Sequence, residues 1–201
     1  KLERFRGHFF NWYDTADLRT LEPEYISSVD SGNLAGHLIT LGNACREMVA
    51  GPIINPRWYA GIADNLALVR EAARHENPHT RSATDAQLNN AIDGIAAALR
   101  NAPANPVGIA QCLIDLTQKA NALVECAHVW SKERGSSEDI IVWAQALRAS
   151  VLAQQCDVEL LMPWAGFLSA HAVHGGEIVQ LLDTIPTLAA LPERGEAALQ
   201  A

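Results

Sequence analysis

Charge is the first scarcity in this chain. Of 201 residues only 19% are charged, and 15 Lys+Arg stand against 23 Asp+Glu, for a formal net charge of −8. A chain this short of positive charge does not work by neutralising phosphates, which excludes ordinary nucleic-acid binding. Long apolar runs are missing as well. None approaches the roughly 18 residues that a membrane span needs. The four cysteines, Cys45, Cys112, Cys126 and Cys156, form no C-x-x-C pair. Each sits among aliphatic residues in a helical pattern, so the expectation is four reduced, buried thiols and a reducing compartment. There is no G-x-S-x-G, P-loop, G-x-G-x-x-G or H-E-x-x-H, and neither a cofactor nor a metal is expected.

What is abundant is apolar and helix-forming. Hydrophobic residues make up 49% of the chain. That is too apolar for intrinsic disorder and enough for one sizeable core. After residue 30 the periodicity is helical throughout. A first helix is expected from a cap at Asp30 or Ser31, with Leu34, Leu38, Leu41, Cys45 and Met48 or Val49 inward, ending at Gly51-Pro52. Asn55-Pro56 and Asn105-Pro106 each read as a cap followed by a first-turn proline. The helices they open carry the stripes Trp58, Ile62, Leu66, Val69, Ala73 and Ile109, Leu113, Leu116, Ala120, Leu123, Ala127, Trp130. Between them a helix from about Thr84 to Arg100 turns Leu88, Ile92, Ile95 and Leu99 inward. Ser136 or Ser137 caps a fifth helix, which Pro163 kinks or breaks. Shorter helices follow at Glu177–Leu182 and beyond Glu193.

The expected fold class is all-α: an up-and-down array of about six helices, preceded by a short extended or hairpin segment. Residues 1–30 form the aromatic extended segment and 31–201 the helices of a single region. The chain begins without Met and ends in helix-prone sequence, and its aromatic run needs partners. The expectation is therefore a piece excised from a longer protein, exposing apolar surface that favours self-association.

Chemistry concentrates near the start. Asn11-Trp12-Tyr13-Asp14, Asp30-Ser31-Gly32-Asn33 and His37 combine flat aromatic faces with short carboxylates and amides. A sugar ring offers an apolar C–H face and a rim of hydroxyls, which such groups can match. The competing reading makes Trp12 and Tyr13 core residues and Asp30 or Ser31 caps, and composition alone favours it. His171-x-x-His174-x-x-Glu177 could place two histidines on one metal, but Gly175-Gly176 interrupts the helix, so a solvated helix end is the better reading. His75 and His79 read as surface residues of a proline loop. Glu159 and Glu177 are a carboxylate pair on paper, with nothing to single them out.

The strings Gly7-His-Phe-Phe-Asn-Trp-Tyr-Asp-Thr15 and Leu21-Glu-Pro-Glu-Tyr-Ile-Ser-Ser-Val-Asp-Ser-Gly-Asn-Leu-Ala-Gly-His-Leu38 resemble the start of the glycoamylase-like domain of the cyclic beta-1,2-glucan synthases. The resemblance is specific over about residues 7–41 and supportive around Asp157-Val-Glu-Leu-Leu-Met-Pro-Trp164. Those are very large bacterial inner-membrane enzymes. They join a membrane glycosyltransferase region, a central (α/α) barrel that closes the glucan ring with retention, and a phosphorylase-like region.

The resemblance implies an incomplete (α/α) barrel with a helical insertion over residues 55–175. It implies a soluble, cytoplasmic-facing segment whose partners are beta-1,2-glucan and the remainder of the parent polypeptide. The family's catalytic carboxylates lie downstream of the similar region, so no catalytic residue is carried over and the isolated chain is expected to be inactive. The carried positions, as candidate lining of the glucan cleft, are Asn11, Trp12, Tyr13, Asp14, Asp30, Ser31, Asn33 and His37. Two alternatives remain at this point: a helical scaffold or interaction module spacing the catalytic regions of a large enzyme, and a self-contained helical enzyme.

Overall fold

A computed structural model describes residues 1–75, 82–135, 138–171 and 176–200. Among these, the order is β1 (Arg4–Phe5), β2 (His8–Phe9), α1 (Ser28–Ala50), α2 (Ala60–His75), α3 (Ala83–Arg100), α4 (Pro106–Arg134), α5 (Asp139–Leu161), α6 (Pro163–Ala170), α7 (Glu177–Leu182) and α8 (Leu191–Gln200). The fold is all-α with a short hairpin at its start. Contacts divide it into two compact units, Lys1–Gly51 and Pro52–Ala201. The boundary falls at Gly51-Pro52, so α1 belongs with the aromatic segment. The proposed caps Ser136 and Ser137, His79, His174 and the side chains of His75 and Glu177 lie outside the described residues.

Residues 52–201 are built around α4. Its expected stripe, from Ile109 through Leu113, Leu116, Ala120, Leu123 and Ala127 to Trp130, is buried throughout. It packs against α3, α5 and α6, while α2 packs against α5 and α3. Asn105-Pro106 starts α4 as expected, but the Asn105 side chain makes no cap hydrogen bond. Its Nδ2 donates instead to Asp183 Oδ1 at 2.7 Å, tying the start of α4 to the end of α7. Gly108 is required there, because a Cβ would run into the Asn105 and Pro103 side chains. Gly135, at φ 60°, closes α4. Pro163 separates α5 from α6, as its missing N–H demands.

A polar clasp joins α3 to α4. Ser82 and Asp85 form a reciprocal capping box. The same carboxylate accepts from Trp130 Nε1 at 2.7 Å and from Arg134 Nη2 at 2.6 Å. The Ser82 backbone N–H pulls Asp85 below the ordinary carboxylate range; burial opposes this, and Trp130 and Arg134 reinforce it.

Residues 1–51 are built differently: none of them is buried. The inward row expected on α1 faces solvent, with Leu38 58%, Leu41 59% and Met48 68% exposed. The thiol expectation is corrected too. All four cysteines are free, but Cys45 and Cys156 are exposed and Cys112 and Cys126 only partly buried. Cys45 lies on α1, which has no buried face, and Cys156 lies off the stripe of α5.

The helix cap also moves. Ser27, in extended backbone, accepts from the Asp30 N–H at 3.1 Å, so α1 starts at Ser28. Asp30 then sits in the first turn, where the helix dipole favours a carboxylate.

Leu113→Ala should cost the unit 52–201 about 3 kcal/mol in denaturant unfolding, whereas Ile39→Ala on α1 should change stability by less than about 0.5 kcal/mol. Asp85→Ala should cost about 2 kcal/mol by removing the carboxylate half of the capping box and the acceptor of Trp130 Nε1. Because Asp85 titrates below its unfolded value, its contribution is complete above the ordinary carboxylate range and is lost as pH falls through the lowered folded value. Unfolding curves of the unaltered chain should show this acid loss, and those of the alanine variant should show less of it.

Candidate functional site

The first thirty residues fold by local polar contacts. Arg6 and Gly7, at φ 50° and 90°, form the two-residue turn between β1 and β2, and left-handed backbone at both positions suits a tight hairpin. A second, looser hairpin follows. Asp14 N–H donates to Arg19 O and Leu21 N–H to Trp12 O, with Tyr13 bridged to Thr20. The Asn11 N–H donates to Tyr25 O at 2.9 Å.

One side chain fastens this segment to α1. Asn11 Oδ1 accepts from the Ser27 N–H at 3.0 Å, and Asn11 Nδ2 donates to Asp30 Oδ2 at 2.8 Å. The result is a groove of about 550 Å³ between the β1–β2 hairpin and the first turns of α1. Its lining is Arg4, Gly7, His8, Phe9, Phe10, Asn11, Asp30, Ser31, Leu34, Ala35 and Leu38. The Arg4 guanidinium lies 4.3 Å from the centre of the Phe9 ring, an exposed cation–π contact on one wall. The groove thus joins a mixed aromatic and aliphatic surface to a carboxylate, an amide, an imidazole and a hydroxyl. Such a site can hold a neutral polar ligand that has one apolar face.

Of the eight residues expected from the sequence, Asn11, Asp30 and Ser31 line this groove. Tyr13 lies beside it as a latch. Its hydroxyl accepts from the Phe10 N–H at 2.9 Å and donates to Glu3 O at 2.6 Å. Asp14 shapes the second hairpin, accepting from the Ala16 N–H at 2.7 Å and facing Arg19 at 3.8 Å. Asn33 and His37 are exposed on another flank of α1. Trp12 is also outside the lining, 53% exposed and stacked on Tyr25.

Sequence reasoning missed Arg4, His8, Phe9 and Phe10, which the hairpin brings opposite α1. It placed Leu34 and Leu38 in a core. Their spacing from Asp30, at i+4 and i+8, carried the needed signal, since those positions share a helix face. His171 is bound locally, with Nδ1 2.9 Å from Phe167 O and its ring stacked on Phe167.

About half of this chain has a counterpart among known proteins. The chain is similar to cyclic beta-(1,2)-glucan synthase NdvB of Rhizobium meliloti (strain 1021). The two are 42% identical over 103 residues. It covers 51% of this chain and 4% of that synthase, so the likeness is to a small fragment of a large protein. No family model matches the chain, and no solved structure matches it. Among the described residues no helix is long and apolar enough to cross a membrane.

The Asn11 bridge is the groove's most exposed weakness. Asn11→Ala should leave the Ser27 N–H and the Asp30 carboxylate without this partner. Amide exchange in the first turn of α1 should then accelerate by about fivefold or more, with little change in α4. Ser27→Ala, which removes the cap but not the bridge, should accelerate the same amides to a similar degree.

Proposed function

We propose that this chain is part of a cyclic beta-1,2-glucan synthase and supplies one wall of the glucan-binding cleft in its glycoamylase-like, ring-closing domain. The observation that carries this reading is the coincidence of two facts. Half of the chain is 42% identical to a fragment of NdvB, and Asn11, Asp30 and Ser31 meet in one groove. A glucan suits the groove on physical grounds. Phe9, Phe10, Leu34 and Leu38 present an apolar surface for C–H faces, and Asp30, Ser31 and His8 lie beside it for hydroxyls.

The reading is one of binding. Transfer or hydrolysis at a glycosidic bond uses two carboxyl groups about 5–10 Å apart, and this lining brings in one, Asp30. The second carboxylate, the remaining helices of an (α/α) barrel and the cytoplasmic face of the inner membrane all belong to the parent in this proposal. Tyr13 and Asp14 act in it as supports of the loop, and Asn33 and His37 as residues on the flank of the same helix.

A second reading has its own observation. From Ser31 to Cys45 α1 carries no charged residue, yet it buries none of its residues. A helix that is weakly polar on every side is ordinarily enclosed by others. This favours a scaffold or interaction role, including self-association of the chain, and that role is compatible with the first.

Calorimetric titration with linear beta-1,2-glucan separates the readings. The binding proposal expects measurable heat, and Asp30→Ala should weaken affinity by about tenfold, the loss of one charge-assisted hydrogen bond. Absence of heat with the unaltered chain rejects it. A concentration-dependent mass by light scattering, reduced by Leu41→Glu, supports the interaction role. Hydrolysis of the glucan by the purified chain would overturn the assignment of catalysis to the parent.

A further inference from the structure

Trp12 and Tyr25 form a second surface that the groove does not use. Their ring centroids are 6.0 Å apart and their planes differ by 26°, so they stack, while 53% and 51% of the two residues remain exposed. Backbone contacts hold the pair in place: Asn11 N–H donates to Tyr25 O, and Leu21 N–H donates to Trp12 O. The side chains on either side of Trp12 are occupied internally. Asn11 bridges Ser27 and Asp30, and the Tyr13 hydroxyl is bound at Phe10 and Glu3. Trp12 differs from both, because its indole N–H makes no hydrogen bond among the described residues, and neither does the Tyr25 hydroxyl. Trp58, Trp130 and Trp164, by contrast, donate to Pro103 O, Asp85 and Leu182 O. Neighbouring side chains of an extended segment point to opposite faces, so Asn11 can line the groove while Trp12 lies outside it.

An exposed aromatic stack with two unused polar handles matches a sugar ring, which offers C–H groups on its face and hydroxyls at its edge. We propose that Trp12 and Tyr25 form a platform for a second stretch of saccharide, separate from the groove, so that one glucan chain is held at two points. This rests on the glucan-binding reading and deepens it: the preferred ligand is a long chain rather than a short one. Two linked contacts raise affinity for a ligand that reaches both and leave a short ligand unaffected.

The test compares linear beta-1,2-glucan with the beta-1,2-linked disaccharide of glucose, titrated into the 201-residue chain. Tyr25→Ala and Trp12→Ala should each weaken the long glucan by about five- to tenfold and leave the disaccharide unchanged. Tyr25→Phe should retain most of the long-chain affinity. Asp30→Ala should weaken both ligands.

A measurement on the unaltered chain covers variants that fail to fold. Long glucan should shield the exposed Trp12 indole from iodide quenching, and the disaccharide should not. Equal loss for long and short ligands, no loss for either, or no shielding overturns the platform while leaving the groove standing. A change of mass by light scattering in Trp12→Ala with unaltered glucan affinity also overturns it, in favour of a protein contact. If neither saccharide binds the unaltered chain, the glucan reading falls and the platform falls with it.

Discussion

The Asn11 carboxamide is the constraint on which the candidate site depends. One planar group presents an acceptor to the Ser27 N–H and a donor to the Asp30 carboxylate. The Ser27 N–H lies at the mouth of α1, where helix geometry leaves backbone donors without intrahelical partners. The same contact therefore ends the aromatic loop, fixes the approach to α1 and brings the hairpin wall opposite Asp30, Leu34 and Leu38. Ser27 completes the arrangement from the other side by capping Asp30 N–H. Two polar residues from separate parts of the motif thus produce one groove.

The two compact units draw their order from different sources. Residues 52–201 have a conventional apolar interior, with α4 at its centre and the Asp85 clasp joining helix ends. Residues 1–51 have no buried side chain and are ordered by hydrogen bonds, ring contacts and a cap. A segment ordered this way keeps its aromatic and apolar groups accessible, as a binding surface requires. It also leaves α1, uncharged from Ser31 to Cys45, with apolar groups facing outward. The binding and interaction readings of this unit share that physical origin.

The helices of residues 52–201 could be read from the sequence because apolar spacing, Asn-Pro starts and Pro163 all act locally. The stripes of α3 and α4 are buried residue for residue. The same reading misplaced the α1 row, since periodicity reports a helix face but not whether a partner covers it. Asn55-Pro56 shows a related limit: Asn55 does organise a turn, accepting from the Arg57 N–H, but continuous α-helix begins only at Ala60.

In the candidate site, the sequence marked Asn11, Asp30 and Ser31 through their types and their motif. It could not foresee that Tyr13 and Asp14, of equally suggestive types, are taken up by loop contacts. Nor could it foresee that His8 and Arg4 arrive through a hairpin whose turn depends on left-handed backbone at Arg6 and Gly7.

In the proposed role a saccharide occupies the surface organised by Asn11. The most direct measurement is a two-dimensional amide NMR spectrum of the isotopically labelled chain with and without linear beta-1,2-glucan. Glucan in the groove should shift residues 8–12 and 30–38 and leave the core amides of α4 unmoved. Shifts confined to residues 52–201, or none at saturating glucan, would contradict it.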